Sequence, residues 1–175
     1  IFKVGTRFLP YPEYSDRAAW ARFVGDNTAR EIIAAGEKYL GWKWRHVEAQ
    51  AFIATKNGGD HTLKSIETNN RTALVRLALA EAIEGKGRFM KDLADGFWFY
   101  STSYHWTLVS STGPSVLPTY DNESVELGSG RTGQTLSVIW YVFGKEFDKI
   151  DRMIGVTFRE TLKRLIMDPY LNPAK

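Results

Sequence analysis

The stretch HTLKSIETNNRTALVRLALAEAIEGKG, from His61 to Gly87, decides the fold class because it is the longest amphipathic run in the chain. Apolar residues keep to one face of it at helical spacing for about seven turns, which predicts a long helix packed against a core. The apolar face consists of Leu63, Ile66, Leu74, Leu77, Ala78, Ala82 and Ile83. The run Gly85, Lys86, Gly87 then predicts a tight turn into the next helix.

Helical patterns also precede this run. A capping signal at Ser15 and Asp16 predicts a first helix, DRAAWARFV, which ends at Gly25. Its apolar stripe consists of Ala19, Trp20, Phe23 and Val24. A second helix, DNTAREIIAAGEKYL, is predicted to end where Gly41 opens the aromatic turn GWKWRHVEAQ. The two tryptophans of that turn, Trp42 and Trp44, are expected to pack between helix ends, and an exposed anchor for a partner chain is the alternative.

Three further helical runs follow the glycine turn. They are RFMKDLADGFWFYSTS, RTGQTLSVIWYVF and EFDKIDRMIGVTFRETLKRLIM, and the last two are predicted to be joined through Gly144 and Lys145. Links this short place successive helices beside each other as antiparallel hairpins. The chain is therefore predicted to be all-α, with about six helices forming a single domain over residues 1–175.

A long connection interrupts these helices between Thr102 and Gly130. Valine and threonine residues at 107–109 and 115–117 are compatible with a short pair of strands, but Pro114 and Pro118 argue against a real sheet. At its end, residues 128–132 could hold an anion on exposed N–H groups, although an ordinary helix start is the commoner meaning of such a sequence.

Composition excludes several kinds of function. The chain has no cysteine, and His46, His61 and His105 lack the spacing of a zinc site, so neither a metal nor another cofactor is predicted. Lys and Arg number 23 against 20 for Asp and Glu and are interleaved with them, which argues against nucleic acid as a partner. No apolar run approaches the roughly 20 residues that span a bilayer, so no membrane association is predicted.

Two groups of residues are candidates for ligand binding. Asn70 and Arg71, with Asn69 before them, lie in the middle of the long helix, where amides need partners: they form either a polar patch between helices or a surface that binds sugar hydroxyls and carboxylates. Tyr104, His105 and Trp106 open the long connection, where aromatic faces could stack on sugar rings. The nearby Phe97 and Phe99 are interpreted as core residues.

Several runs, in this order, resemble the N-terminal part of heparinase II/III-like proteins, and the resemblance covers nearly all of the chain. These runs are DRAAWARFVGDNTAREIIAAGEKYLGWKW, NNRTALVRLALAEAIEGKGRFMKDLADGFWF, HWTLVSS, LPTYDNESVELGSGRTGQTLSV and RLIMDPYL. The resemblance implies an incomplete (α/α) toroid followed by β-sandwich domains, in an exported bacterial protein found in the periplasm or outside the cell.

The resemblance also implies an activity. Characterised members are polysaccharide lyases that cleave uronate-containing glycans by β-elimination: a cationic or amide group neutralises the carboxylate, a Tyr or His removes the C5 proton, and an acid protonates the leaving oxygen. An acidic polysaccharide or oligosaccharide is then the expected ligand, bound by Asn70, Arg71, Tyr104, His105 and Trp106, with the loop residue Tyr120 also lining the cleft.

The same resemblance limits the expectation. In those lyases the Asn-His pair and the catalytic Tyr lie in later toroid helices, so missing C-terminal domains of the same protein are expected to supply them. Relatives also often place a His shortly after the Trp that matches Trp106, whereas Thr107 to Ser111 contain none. A non-catalytic glycan-binding domain or a helical interaction scaffold is therefore the alternative function.

Overall fold

A computed structural model of the protein describes residues 10–59, 62–112, 115–119 and 125–172. Regular structure in these ranges is helical throughout, which confirms the predicted all-α class, and neither 107–109 nor 115–117 forms a strand. The helices are α1 (Arg17–Phe23), α2 (Asp26–Glu37), α3 (Ala49–Lys56), α4 (Thr62–Glu84), α5 (Met90–Ser101), α6 (Leu127–Ile150), α7 (Arg152–Leu162) and α8 (Asp168–Leu171). A 3-10 turn covers Val109–Ser111, and a π-helical turn at Lys163–Met167 joins α7 to α8.

Helix α4 is the central element, because α1, α2, α3, α5 and α6 all pack against it. Its predicted apolar face is buried at Ile66, Leu74, Leu77, Ala78 and Ala82, while the side chain of Leu63 lies outside the described residues. Ala73 and Ala80 are fully buried as well, so α4 is covered on more than one side. Helix α2 comes closest to it, since a Cβ at Gly36 would overlap the Cβ of Ala80.

The turn between α4 and α5 forms as the glycine pair predicts. Gly85 and Gly87 have φ values of 64° and 76°, which favour glycine. The buried carboxylate of Glu81 accepts 2.8 Å hydrogen bonds from the backbone N–H groups of Gly87 and Phe89. Its remaining partner is the hydroxyl of Tyr14, which donates at 2.6 Å. A buried carboxylate is tolerated here because both of its oxygens accept hydrogen bonds.

The first two helices differ in detail from the prediction. Asp16, not Ser15, caps α1, since its Oδ1 accepts a 2.9 Å hydrogen bond from Ala19 N. Of the predicted apolar stripe, Trp20 is buried but Phe23 is 56% exposed, because α1 has only seven residues and touches the core with one side. Helix α2 ends at Glu37, before the predicted end at Leu40.

The predicted break at Gly144 and Lys145 is wrong, because α6 runs through both residues to Ile150. The absence of a side chain at Gly144 leaves space for the ring of Trp140, which also packs against Gly155 of α7: an added Cβ at Gly144 would come within 2.9 Å of Trp140 Cε2. Packing therefore outweighs the low helix propensity of glycine. The break between α6 and α7 falls at Asp151, whose backbone is extended. Its carboxylate caps α7 by accepting a 2.7 Å hydrogen bond from Met153 N.

Candidate functional site

All five sequence-predicted binding residues line one pocket of about 230 Å³. The pocket lies between the segment after α2, helix α4, the end of α5 and the loop that follows α5. The five residues are Asn70, Arg71, Tyr104, His105 and Trp106. The sequence did not indicate four further ionisable residues that line the pocket, Arg45, His46, Glu67 and Tyr100.

Asn70 is a positioning residue in this pocket. It is 4% exposed, its Oδ1 accepts a 3.1 Å hydrogen bond from Trp42 Nε1, and its Nδ2 donates to the carbonyl of Arg45 at 2.8 Å. These bonds tie the segment after α2 to α4, as the polar-patch interpretation of the mid-helix amide expects. The amide thereby places Arg45 beside the pocket.

Trp106 forms a wall of the pocket and folds the loop back onto α5. Its side chain is 7% exposed, and its Nε1 donates a 3.0 Å hydrogen bond to the carbonyl of Tyr100. Because its N–H already donates a hydrogen bond within the protein, the ring offers a ligand an apolar wall and not a hydrogen-bond donor. The turn that it closes brings Tyr104 and His105 to the pocket.

Residues of α7 and of the π-helical turn hydrogen-bond the end of α5 and the loop that follows it. Thr161 Oγ1 donates a 2.6 Å hydrogen bond to the carbonyl of Ser101 at the end of α5. Arg164, in the π-helical turn, donates to the carbonyls of Tyr104 at 2.8 Å and Ser103 at 3.3 Å. The first bond satisfies a carbonyl that the end of α5 leaves without a helical partner, and the other two fix the backbone of the loop that follows.

Arg71 supplies a positive charge to the pocket. Among the residues that the structure describes, its guanidinium has neither a hydrogen bond nor an ion pair, and its side chain is half-buried. Arg45, the other guanidinium on the pocket, lies 3.6 Å from Glu48 with both side chains more than half exposed. Such an exposed pair is weak. Both guanidinium groups can therefore bind an anion.

His105 is the candidate base of the pocket. Its Nδ1 is buried without a hydrogen-bond partner in the described part of the chain, and its ring packs against those of Tyr104 and Phe52. Burial lowers the pKa of His105 and the nearby His46 acts in the same direction, while a hydrogen bond with the backbone of Thr107 opposes them. His105 is therefore neutral at pH 7 and can accept a proton.

Two acidic groups, Glu67 and Tyr100, line the pocket together with the guanidinium groups of Arg45 and Arg71. Burial raises the pKa of Glu67 to about 7, with a contribution from Glu126 and an opposing one from Arg71. Burial likewise raises the pKa of Tyr100, where Arg71 opposes and Glu67 reinforces the shift. Pockets in which a carboxyl group titrates near neutrality beside a neutral histidine are typical of sites that bind or move protons.

The start of α6, where an anion site was the less common interpretation, is occupied by the chain itself. The carboxylate of Glu126 accepts hydrogen bonds from Ser129 N at 2.6 Å, Gly128 N at 2.7 Å and Leu108 N at 3.4 Å. It therefore takes the place that an external anion would fill at this helix end.

A second recess adjoins the pocket. It is lined by Leu40, Gly41, Trp42, Lys43, Arg45, Ile66, Asn69 and Asn70, so it shares Arg45 and Asn70 with the pocket. The two shared residues are those of the hydrogen-bonded contact between the segment after α2 and α4. A ligand too long for the pocket could therefore extend into the second recess.

The remaining aromatic predictions divide between core and pocket. Phe97 is fully buried as predicted, whereas Phe99 is half-buried and lines the pocket. Trp44 stacks on Phe99 at a centroid distance of 5.8 Å, which agrees with its interpretation as a packing residue. Tyr120 lies outside the described residues.

The described residues contain neither a metal-binding cluster nor a helix that could cross a membrane. No group of three or more His, Asp or Glu side chains in those ranges is arranged to hold a metal ion. Helices in the same ranges are all too short or too polar to cross a bilayer. No protein-family model matches the chain, and no curated protein matches it significantly.

Proposed function

We propose that the pocket binds an acidic sugar residue, and that the chain is the N-terminal toroid portion of a heparinase II/III-like polysaccharide lyase. The observation that carries the proposal is the position of Arg71, a guanidinium without a protein partner in the described residues, on a pocket with aromatic walls. Guanidinium groups pair with carboxylates and sulfates, and aromatic faces stack on sugar rings.

The chemistry of the pocket suits a uronate. Arg71 and Arg45 can neutralise the sugar carboxylate, while Tyr104 and Phe99 offer aromatic faces to the ring. In β-elimination a base removes the C5 proton, the C4–C5 double bond forms, the C4–O bond breaks and the leaving oxygen takes a proton. Among the described residues of the pocket, His105 is a group suited to act as that base, because it is neutral and lines the pocket.

The architecture is proposed to be the first part of an incomplete (α/α) toroid built from helical hairpins. Support comes from the short links between packed helices: Gly85–Gly87 connects α4 to α5, and Asp151 connects α6 to α7. The C-terminal domains implied by the resemblance complete the catalytic set, and export by a bacterium belongs to the same proposal.

A calorimetric titration tests the proposal. The ligands are tetrasaccharides of mannuronate, galacturonate and hyaluronan, with neutral mannotetraose as the control. Arg71→Met should weaken binding of the acidic ligands about tenfold, or about 1.4 kcal/mol. Arg76→Met is the matched control, because Arg76 is exposed on the same helix, away from the pocket, and its loss changes the net charge equally. Equal affinities for the two variants would remove Arg71 from the site.

A glycan-binding domain without catalysis is the second candidate, and one observation favours it. The amide of Asn70 is hydrogen-bonded to Trp42 and Arg45, so it is not presented to a substrate carboxylate as an amide of a lyase would be. The two functions are separated by assaying the full-length protein. Binding of an acidic glycan without any unsaturated product would select the second candidate.

A further inference from the structure

Glu67 is a carboxyl group of the pocket that is not paired with any other described residue. It precedes Arg71 by one helical turn on α4, it is half-buried, and it lines the pocket. Within the described residues it makes no hydrogen bond and no ion pair, in contrast to the buried Glu81, whose carboxylate accepts three hydrogen bonds. An ionised carboxylate is costly in such a place.

A neighbouring carboxylate increases that cost. Glu126 acts electrostatically on Glu67, and the side-chain oxygens of Glu126 accept hydrogen bonds from the backbone N–H groups at the start of α6. Protonating Glu126 would weaken the cap of α6, whereas protonating Glu67 breaks no contact. When two carboxyl groups interact, the one with the poorer stabilisation takes the proton.

The charged and titratable groups around Glu67 come from α4, α5, the segment after α2, the loop after α5 and the residue before α6. Arg71 on the same helix favours the carboxylate, and the phenol of Tyr100 on α5 is neutral at pH 7. The other groups are Arg45 and His46 from the segment after α2, Tyr104 and His105 from the loop after α5, and Glu126 before α6. The exposed Lys64, one turn before Glu67 on α4, does not line the pocket.

We propose that Glu67 contacts the carboxylate of an acidic ligand in its protonated form, so that the pocket takes up a proton together with the ligand. This inference rests on the proposed function and assigns Glu67 as a binding residue for the anionic group. The neutral carboxyl donates an O–H···O⁻ hydrogen bond to the ligand while Arg71 supplies the positive charge. Hydrogen bonds of this kind to an ionised acceptor are short and strong.

A pH dependence of binding follows from the same arrangement. An anion in the pocket adds a third negative charge near Glu67 and Glu126, so the bound state disfavours ionisation of Glu67 still further. Affinity for an acidic ligand therefore rises as the pH falls from 8 to 6, and the complex holds up to one more proton than the free protein at the upper end of this range. The ligand carboxylates stay ionised throughout, since carboxyl groups ordinarily titrate at about pH 3 to 4.

Calorimetry in buffers of different ionisation enthalpy measures the proton uptake directly. The tightest-binding of the three uronate tetrasaccharides is titrated at pH 6, 7 and 8 into the wild type and into Glu67→Gln, which keeps a hydrogen-bond donor without the charge. The wild type should take up a proton at pH 8 and lose affinity about tenfold from pH 6 to 8. Glu67→Gln should show no uptake and a nearly constant affinity.

Variants of the histidines distinguish Glu67 from the other groups that could take up the proton. His46→Asn and His105→Asn should both retain the uptake, whereas its persistence in Glu67→Gln, or its loss in either histidine variant, would overturn the role of Glu67. Binding by the wild type without uptake would overturn this inference and leave the proposed function standing. Absence of binding at every pH would overturn the proposed function itself.

Discussion

Arg164 Nη1 donates a 2.8 Å hydrogen bond to the carbonyl oxygen of Tyr104, so that the π-helical turn after α7 holds the loop that carries His105. The second nitrogen of the same guanidinium, Nη2, donates to the carbonyl of Ser103. π-Helical turns are rare and are often found near functional sites. Here the turn presents an arginine to the backbone of a pocket wall, which makes Arg164 a positioning residue for the pocket.

Replacing Arg164 should loosen the loop more than it destabilises the protein. In Arg164→Met the carbonyls of Ser103 and Tyr104 lose their donors, but both become accessible to water, so the free energy of unfolding should fall by no more than about 1 kcal/mol. Hydrogen exchange of the amides at 103–108 should accelerate, and uronate affinity should fall severalfold. Lys163→Met, which removes the neighbouring exposed ion pair with Asp168, is the control and should leave both unchanged.

The buried carboxylate of Glu81 should be among the most sensitive positions for stability. Glu81→Gln leaves one of three donors, the hydroxyl of Tyr14 or the N–H groups of Gly87 and Phe89, facing an amide NH₂. We expect a loss of about 2 to 4 kcal/mol in urea unfolding, as for other broken buried polar networks. Glu37→Gln removes an exposed partner of Arg88 and should cost under about 1 kcal/mol. Equal losses would show that Glu81 is not the link between α4 and α5.

Gly96 should be intolerant of even a methyl group. A Cβ at this position would overlap the ring of Trp44, which packs the segment carrying Arg45 and His46 against α5. Gly96→Ala should therefore lower the free energy of unfolding by about 1 to 3 kcal/mol and shift the fluorescence of the displaced tryptophan. Gly130→Ala is the matched control, since its Cβ would meet only Val125 at 3.8 Å.

Glu67 should make stability depend on pH. Its pKa in the folded protein is raised to about 7, so the protein favours the neutral acid. The stability from the neutral form is fully present below the ordinary pKa of a glutamate and is lost as the pH rises through about 7. Because the carboxyl is partly hydrated, we expect Glu67→Gln to gain between about 1 and 3 kcal/mol relative to wild type from pH 4 to 8 in urea unfolding. A constant difference between the two proteins would contradict the raised pKa.

The helices that are long and regular could be predicted from the sequence alone. The periodicity at 61–87 identifies α4, and the glycine pair at 85 and 87 locates its turn. Boundaries set by tertiary packing could not be predicted in this way. Gly144 signals a break, yet α6 continues through it, and the missing side chain leaves space for the ring of Trp140, which also lies against Gly155 of α7. Helix α3 was missed because eight residues with two buried side chains, Ala51 and Phe52, carry too little periodicity.

The residues of the candidate site also differ in how far the sequence predicts them. Arg71 could be singled out because it follows two amides in mid-helix, and His105 because it lies among aromatic residues in a long loop. Glu67 has no such signal, since a charged residue on a helix normally faces water, and its burial depends on the tertiary packing of the elements that form the pocket. The sequence suggested ligand contacts for Asn70 and Trp106, but both have their polar groups bonded within the protein.

The most direct test of an acidic-ligand pocket is a ¹⁵N NMR titration with a uronate tetrasaccharide and, in parallel, with neutral mannotetraose. We predict that the uronate shifts amide signals at 45–47, 67–71 and 100–108, that the shifts weaken at high salt, and that the neutral sugar has little effect. Equal responses to the two sugars, or uronate-induced shifts confined to residues outside the pocket, would contradict the account.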